Sequence, residues 1–158
     1  MATGTPEQFM LDIDAWTEKA KAAPMLVIRE TIQDLNNEIV TTSPGPGNST
    51  NKNPRPGEPT GFLRGSYFAD VNTVPSGTGS IGRNSTAAVN AVAVLFQPGQ
   101  TYVMGNTAKY ARRLEYGFVG EDSLGRTYNQ SGRYWVRGVL NRASVIAMEA
   151  ATRVAGKL

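Results

Sequence analysis

The stretch that decides the fold lies between residues 58 and 67 and reads Glu58-Pro59-Thr60-Gly61-Phe62-Leu63-Arg64-Gly65-Ser66-Tyr67. It closes a loop, residues 43–61, that contains five prolines and four glycines. Because nothing in that composition can build a core, we expect the 43–61 loop to be exposed and flexible. Directly after it, Tyr67, Ala69 and Val71 alternate with other residues, and this period of two predicts a strand. The stretch therefore marks the change from loop to sheet.

Length and composition predict one domain over residues 1–158, large enough for a core. No apolar run has the length of a membrane span, and Met1 to Pro6 lacks the basic start of a signal peptide. Cysteine and histidine are both absent, which removes disulfides, thiolate sites, the commonest general base and the commonest transition-metal ligand.

The amino-terminal region predicts a long amphipathic helix. Thr5 is a suitable N-cap, Pro6 suits the first helical position, and Gln8 would complete a capping box. Pro24 is expected to kink the helix or to divide it in two, and Ser43 ends it. About 35 helical residues would span about 50 Å, more than the diameter of such a domain. We interpret the apolar stripe chiefly as a core face, with a subunit contact as the alternative; its first members are Phe9, Ile13, Trp16, Ala20, Ala23 and Val27.

The middle of the chain predicts further strands. The small and β-branched run from Ala87 to Phe96 is interpreted as a buried strand, and residues 101–105 as a third strand in a hairpin with it. A short helix should end at Tyr116, with Gly117 as its left-handed C-terminal residue. Residues 118–130 are a loop or a small hairpin, and a last helix is expected from Ser131 to about Val154. Its apolar face would consist of Trp135, Val139, Ala143, Ile146, Ala150 and Val154.

Charge is distributed unevenly along the chain. Residues 1–42 hold seven acids and three bases, a net of −4, so the remainder must hold +7 to reach the overall +3. This asymmetry fits head-to-tail packing between copies or contact with nucleic acid, and it equally fits two solvated faces of opposite sign.

Catalytic patterns are scarce. Asp12 and Asp14 are two apart on a helix, so they point in different directions. Glu121-Asp122 lacks the repeated acids of a calcium loop, and Ser66 and Ser131 have no histidine to activate them. We therefore expect neither catalytic residues, nor a metal site, nor a cofactor, and we interpret the chain as not an enzyme.

Arginines and aromatic residues are interleaved in the second half of the chain, which suits either a nucleic-acid surface or a protein interface. We favour the interface, because Arg, Tyr and Trp are enriched there and no nucleic-acid motif is present. The set comprises Arg64, Arg112, Arg113, Arg126, Arg133, Arg137 and Arg142 with Tyr110, Tyr128, Tyr134 and Trp135.

A second signal lies about fifty residues after the first and reads Lys109-Tyr110-Ala111-Arg112-Arg113-Leu114-Glu115-Tyr116-Gly117. The two together resemble the neck or tail-completion family of long-tailed bacteriophages, including its minor tail components and tail-terminator-like proteins. That family reads roughly Pro-x-x-Thr-Gly-x-Leu-Arg-x-Ser, then strands, then Tyr-Ala-x-x-x-Glu-Tyr-Gly and a final helix. Here the core from Thr60 to Ser66 is intact, although Pro59 stands next to Thr60. The segment from Gly132 to Arg137 is similar to the family's Gly-x-x-x-Arg, one residue longer.

The resemblance implies an α+β fold, in which a small antiparallel sheet of three to four strands packs against long N-terminal and C-terminal helices, with one short helix. It also implies a ring, six copies being expected, that terminates or completes the tail in the virion neck, after assembly in the host cytoplasm. Its partners would be other copies of the chain, head-side connector or adaptor proteins, the tail tube protein, and genomic DNA passing through the lumen without sequence recognition. No membrane is involved.

The residues expected at subunit or partner contacts are Thr60, Gly61, Arg64, Arg112, Arg113, Glu115, Trp135 and Arg137. Arg64 either begins a strand at the surface or pairs with an acid of the adjacent subunit. For Glu115 we favour a local bridge to Arg112 over an Arg across the ring. The alternatives in function are a DNA-binding accessory protein and a head-side adaptor or stopper ring, since one fold serves several rings.

Overall fold

The helices and strands form an α+β arrangement, as predicted, in a computed structural model that describes residues 5–44 and 61–157. Almost all of the 43–61 loop, and Thr60 with it, lies outside the described residues. In chain order the elements are α1 (Pro6–Thr42), a 3-10 turn (Arg64–Ser66), β1 (Tyr67–Val71), α2 (Thr86–Leu95), β2 (Tyr102–Asn106), α3 (Ala111–Tyr116), β3 (Gly117–Glu121), β4 (Thr127–Ser131), α4 (Trp135–Leu140) and α5 (Ala143–Ala155).

Helix α1 begins as predicted, because the Thr5 side chain accepts a hydrogen bond from the Gln8 backbone N–H at 3.3 Å. The Gln8 side chain, expected to complete a capping box, instead donates to Asp12. Pro24 lies inside the helix and does not divide it. The carbonyl of Ala20, which loses its helical donor at Pro24, belongs to an exposed residue and can bond to water.

The four strands form two separate antiparallel ribbons instead of one sheet. Strand β1, confirmed where the alternation predicted it, pairs with β2, so that Tyr67 lies opposite Asn106. Strand β2 therefore pairs with β1, and the predicted hairpin with residues 87–96 is wrong. The β3–β4 ribbon is a hairpin in the 118–130 region, one of the two alternatives expected there.

The segment predicted as a buried strand at Ala87–Phe96 is helix α2. Its run of Ala and Val has no polar alternation to exclude either structure, and Ala is the best helix former. Val89 and Ala93, one helical turn apart, are both fully buried, and α2 packs against α1 and β1. Tertiary packing on one face therefore selects the helix.

The long C-terminal helix expected from Ser131 is in fact two helices that begin later. Ser131 ends β4, α4 begins at Trp135, and residues 141–142 form a turn before α5. The predicted apolar face is confirmed at five of its six positions, because Trp135, Val139, Ile146, Ala150 and Val154 are buried, while Ala143 is half-buried.

The part of the decisive stretch from Gly61 to Ser66 joins the segment before α2 to the end of β2. Gly61 has a positive φ of 65°, Leu63 is buried, and the Ser66 hydroxyl donates to the Phe62 carbonyl at 2.6 Å. Each carbonyl from Leu63 to Ser66 accepts a hydrogen bond from outside the stretch, either from the end of β2 or from the segment before α2. In order, the donors are the Asn106 side-chain amide and the backbone N–H groups of Ser85, Ser80 and Thr107.

Replacing Gly65 by alanine should break this arrangement, because a Cβ there would lie 2.0 Å from the Ser80 carbonyl oxygen. We expect Gly65→Ala to lower the free energy of unfolding by about 1–3 kcal/mol, the usual cost of overpacking. The control is Gly138→Ala in α4, where a Cβ would meet nothing within 4 Å and should stabilise by about 0.5–1 kcal/mol. Urea unfolding followed by circular dichroism measures both; equal effects would contradict this role of Gly65.

Candidate functional site

Arg64, expected at a subunit contact, binds the carboxyl end of helix α1 within its own chain. Its guanidinium Nη2 donates to the Thr41 carbonyl at 2.6 Å, in the last turn of α1. A cation at the carboxyl end of a helix is favourable because the last carbonyls lack helical donors. The Nε of Arg64 is buried and has no partner among the described residues. Arg64 therefore links the end of α1 to the turn that leads into β1.

Glu115 is buried and does not form the local bridge to Arg112 that the spacing favoured. Its two carboxylate oxygens accept the backbone N–H groups of Val136 and Arg137, each at 3.1 Å. The physical reason is that the first N–H groups of α4 lack helical acceptors and attract an anion. Glu115 thus links the end of α3 to the start of α4.

The backbone around Glu115 strengthens the same link. Arg133 and Tyr134 donate their N–H groups to the carbonyls of Leu114 and Glu115, at 2.7 and 3.1 Å. Gly117 has a positive φ of 83°, as predicted, but its ψ of 174° is extended and begins β3 instead of a left-handed cap. The short helix itself begins only at Ala111, because the Asn106 side chain holds a turn at the Ala108 N–H.

Trp135, another expected contact residue, is also buried. Its indole Nε1–H donates to the Tyr67 hydroxyl at 2.9 Å, which joins α4 to β1 inside the core. Burial raises the pKa of the Tyr67 hydroxyl. Trp135 and Glu115 therefore join elements of the chain inside the core, and both also line an apolar groove at its surface.

The other three arginines expected at contacts are exposed: Arg112 and Arg113 on α3, and Arg137 on α4. The Arg113 guanidinium lies 4.2 Å from the centre of the Phe118 ring, and that of Arg137 lies 4.8 Å from the Tyr134 ring. Within the described ranges, no carboxylate pairs with the cations of this basic face, which are Lys109, Arg112, Arg113, Arg133 and Arg137. Of these, Lys109, Arg112 and Arg113 line one hollow with Tyr116, and the Arg137 guanidinium lies 5.9 Å from the centre of the Tyr116 ring.

An apolar groove of about 400 Å³ lies beside the basic face. Helices α1, α3 and α4 and strands β1 and β2 line it, with Ile32, Leu35, Met104 and Leu140 among the apolar side chains. Arg112 belongs to the groove and also to an adjoining hollow with Lys109 and Arg113. Sequence reasoning missed this groove, because its walls come from five elements that are far apart in the sequence.

Tyr102 lies in the groove wall and belongs to a buried polar network. The buried Asn36 of α1 donates to the Tyr102 oxygen at 2.8 Å and to the Asn90 side chain at 3.1 Å. The Tyr102 hydroxyl in turn donates to the Val89 carbonyl at 3.0 Å. Burial raises the pKa of Tyr102 to about 12. The network fixes the register of α1, α2 and β2 around the groove.

The first half of α1 makes almost no contact with the rest of the described chain. From Glu7 to Ala22 every residue except Thr17 is exposed, and we call this segment the α1 arm. The interpretation of the apolar stripe as a core face is wrong for the arm, while the subunit-contact alternative remains. The side chains that are more than half exposed include Phe9, Met10, Leu11 and Trp16.

The ion pairs of α1 also differ between the α1 arm and the second half of the helix. On its second half, Glu38 pairs with Arg142, while Glu30 and Asp34 pair with Arg153. Lys157, 2.6 Å from Glu30, lowers the pKa of that carboxyl. Part of the asymmetry seen in the sequence is therefore neutralised within the chain, between α1 and its C-terminal helices. On the arm, the described ion pair is Lys21 with Glu18.

Replacing Glu115 by glutamine keeps the size of the side chain and removes the charge that binds the two N–H groups of α4. We expect Glu115→Gln to lower the free energy of unfolding by about 1.5–3 kcal/mol, the usual value of hydrogen bonds to a charged group. Glu149→Gln, at an exposed position of α5, is the control and should stay within about 0.5 kcal/mol of wild type. Chemical denaturation measures both, and a small effect for Glu115→Gln would contradict its linking role.

Within residues 5–44 and 61–157, no helix has the length and apolarity to cross a membrane. The same residues contain no group of three or more acids that could hold a metal ion. Comparison of the chain with protein-family models, curated proteins and solved structures gave no match.

Proposed function

We propose that this chain is a structural protein of the bacteriophage neck, whose copies assemble head to tail into a ring between head and tail. The protein would act mechanically, by completing the tail and joining it to the head connector. The proposal rests on the resemblance of two sequence segments, Thr60–Ser66 and Lys109–Gly117, and on surfaces that the chain leaves unmatched.

The observation that supports self-assembly most directly is the separation of two complementary surfaces. The α1 arm exposes large apolar side chains together with acids, whereas the basic face exposes cations without acid partners. Exposed apolar patches of this kind mark interaction sites. Two different surfaces that fit each other give a heterologous contact, and such contacts close into rings when the rotation allows it.

The residues expected at contacts support the proposal in two different ways. Arg64, Glu115 and Trp135 hold the chain's own elements together, so they would shape each subunit of the ring. Arg112, Arg113 and Arg137 are exposed and remain available for contact with another copy, the head-side connector or the tail tube. In such a ring, any cations that faced the lumen would meet DNA through its phosphates only, without reading sequence.

Loss of the protein should separate heads from tails. In a phage that encodes this chain, a nonsense mutation in its gene should give DNA-filled heads and free tails that fail to join, seen by electron microscopy. Adding the purified wild-type chain to that lysate should restore joined, infectious particles, because the missing ring is the only component absent.

Normal joining and normal infectivity without the chain would contradict the neck role. That outcome would favour the DNA-binding alternative, to which the exposed cations of the basic face are also suited. A DNA-binding accessory protein would show affinity for DNA that falls steeply as salt is added.

A further inference from the structure

The apolar groove and the α1 arm belong to one chain but cannot meet within it. Ile32, Leu35 and Ile39 line the groove from the second half of α1. Trp16 lies sixteen residues before Ile32 on the same continuous helix, which separates the two by about 24 Å along the axis. An arm that is continuous with the wall of the groove cannot fold back into it.

We propose that the α1 arm of one copy docks in the groove of a second copy. The inference rests on the self-assembly part of the proposed function, and it holds whether or not the assembly belongs to a phage neck. The occupant of the groove is therefore a helix of this same chain.

Shape and polarity of the two surfaces fit this assignment. Phe9, Ile13 and Trp16 recur at spacings of four and three, so they form a ridge along one side of the arm. The groove has mostly apolar walls, and its volume of about 400 Å³ lies in the range of about 300–1,000 Å³ of pockets that bury drug-sized groups. An amphipathic helix laid into an apolar groove by residues at such spacings is a common mode of recognition.

The charges identify a second copy as the partner. Residues 5–18 contain four acids and no base. Beside the groove, Arg112 adjoins Lys109 and Arg113, and the described carboxylates leave all three unpaired. Asp12 lies three residues from Phe9 and four from Trp16, so it flanks the ridge. Docking would bring this acid towards Arg112.

The absence of cysteine allows a direct test, because any introduced thiol is unique. Ala20→Cys, one helical turn from Trp16, and Leu140→Cys place thiols at exposed positions on the arm and at the groove and leave the ridge of the arm intact. The two single variants, one with a tag that changes its mass, are mixed with a short bis-maleimide linker. The control pair replaces Leu140→Cys by Leu124→Cys, which is exposed between β3 and β4 and does not line the groove.

We expect the mixed product of Ala20→Cys with Leu140→Cys to form at least about tenfold faster than the control product, because docking raises the effective concentration of the two thiols. Equal rates for the two pairs would overturn the inference. Circular dichroism verifies that each variant is folded. All three positions are exposed, so the substitutions should not unfold the chain.

Charge reversal tests the orientation of the docked arm. Arg112→Glu on the Leu140→Cys chain should slow the specific cross-link by about three- to tenfold through repulsion of the acidic arm. Adding Asp12→Arg to the Ala20→Cys chain should restore the rate. If neither change alters the rate of the specific cross-link, the placement of Asp12 beside Arg112 is overturned.

A single chain with both cysteines separates this inference from the ring. Cross-linked ladders that extend to six subunits support docking and the ring together. A ladder that stops at two subunits supports docking as a two-fold pair and removes the ring from the proposed function. Products that remain monomeric overturn the docking itself.

Discussion

Four consecutive backbone carbonyls, from Leu63 to Ser66, determine how the chain is arranged. Each one accepts a hydrogen bond from a different donor, and the donors come from the segment before α2 and from the end of β2. Buried backbone groups have to be paired, so these segments can approach one another only in this way. Arg64 adds the end of α1 to the same point by its bond to Thr41. A second link, from Glu115 to α4, holds the remaining helices in place.

These links explain why one end of α1 is packed and the other is free. The second half is held by Arg64, by the Asn36 network and by ion pairs to α5, whereas the α1 arm has none of these. Because the helix continues through Pro24, the arm extends from the fixed half as a rigid element. Its apolar and acidic side chains therefore face outward, and the basic face and the groove offer a surface that suits them.

Local chemistry made part of this structure predictable from sequence. The cap at Thr5, the alternation at Tyr67 and the buried face of Trp135 each depend on neighbours in the chain, and they were confirmed. The helical state of residues 86–95 depends on burial against α1, which a short apolar run does not encode. Glu115 was paired by spacing with Arg112, yet it binds N–H groups about twenty residues later. The groove could not be predicted, since it exists only where five elements far apart in the sequence meet. The length of α1, greater than the diameter of the domain, was the signal for the arm.

The most direct test of the account is the mass of the purified protein in solution, measured by light scattering across a concentration series. The wild-type chain should form a closed multiple of its 17.0 kDa mass. Trp16→Ser should reduce that mass to a single chain, because it removes the largest apolar side chain of the arm, while Leu124→Ser should leave the assembly intact. Equal masses for wild type and Trp16→Ser at every concentration would contradict the claim that the arm is a contact between copies.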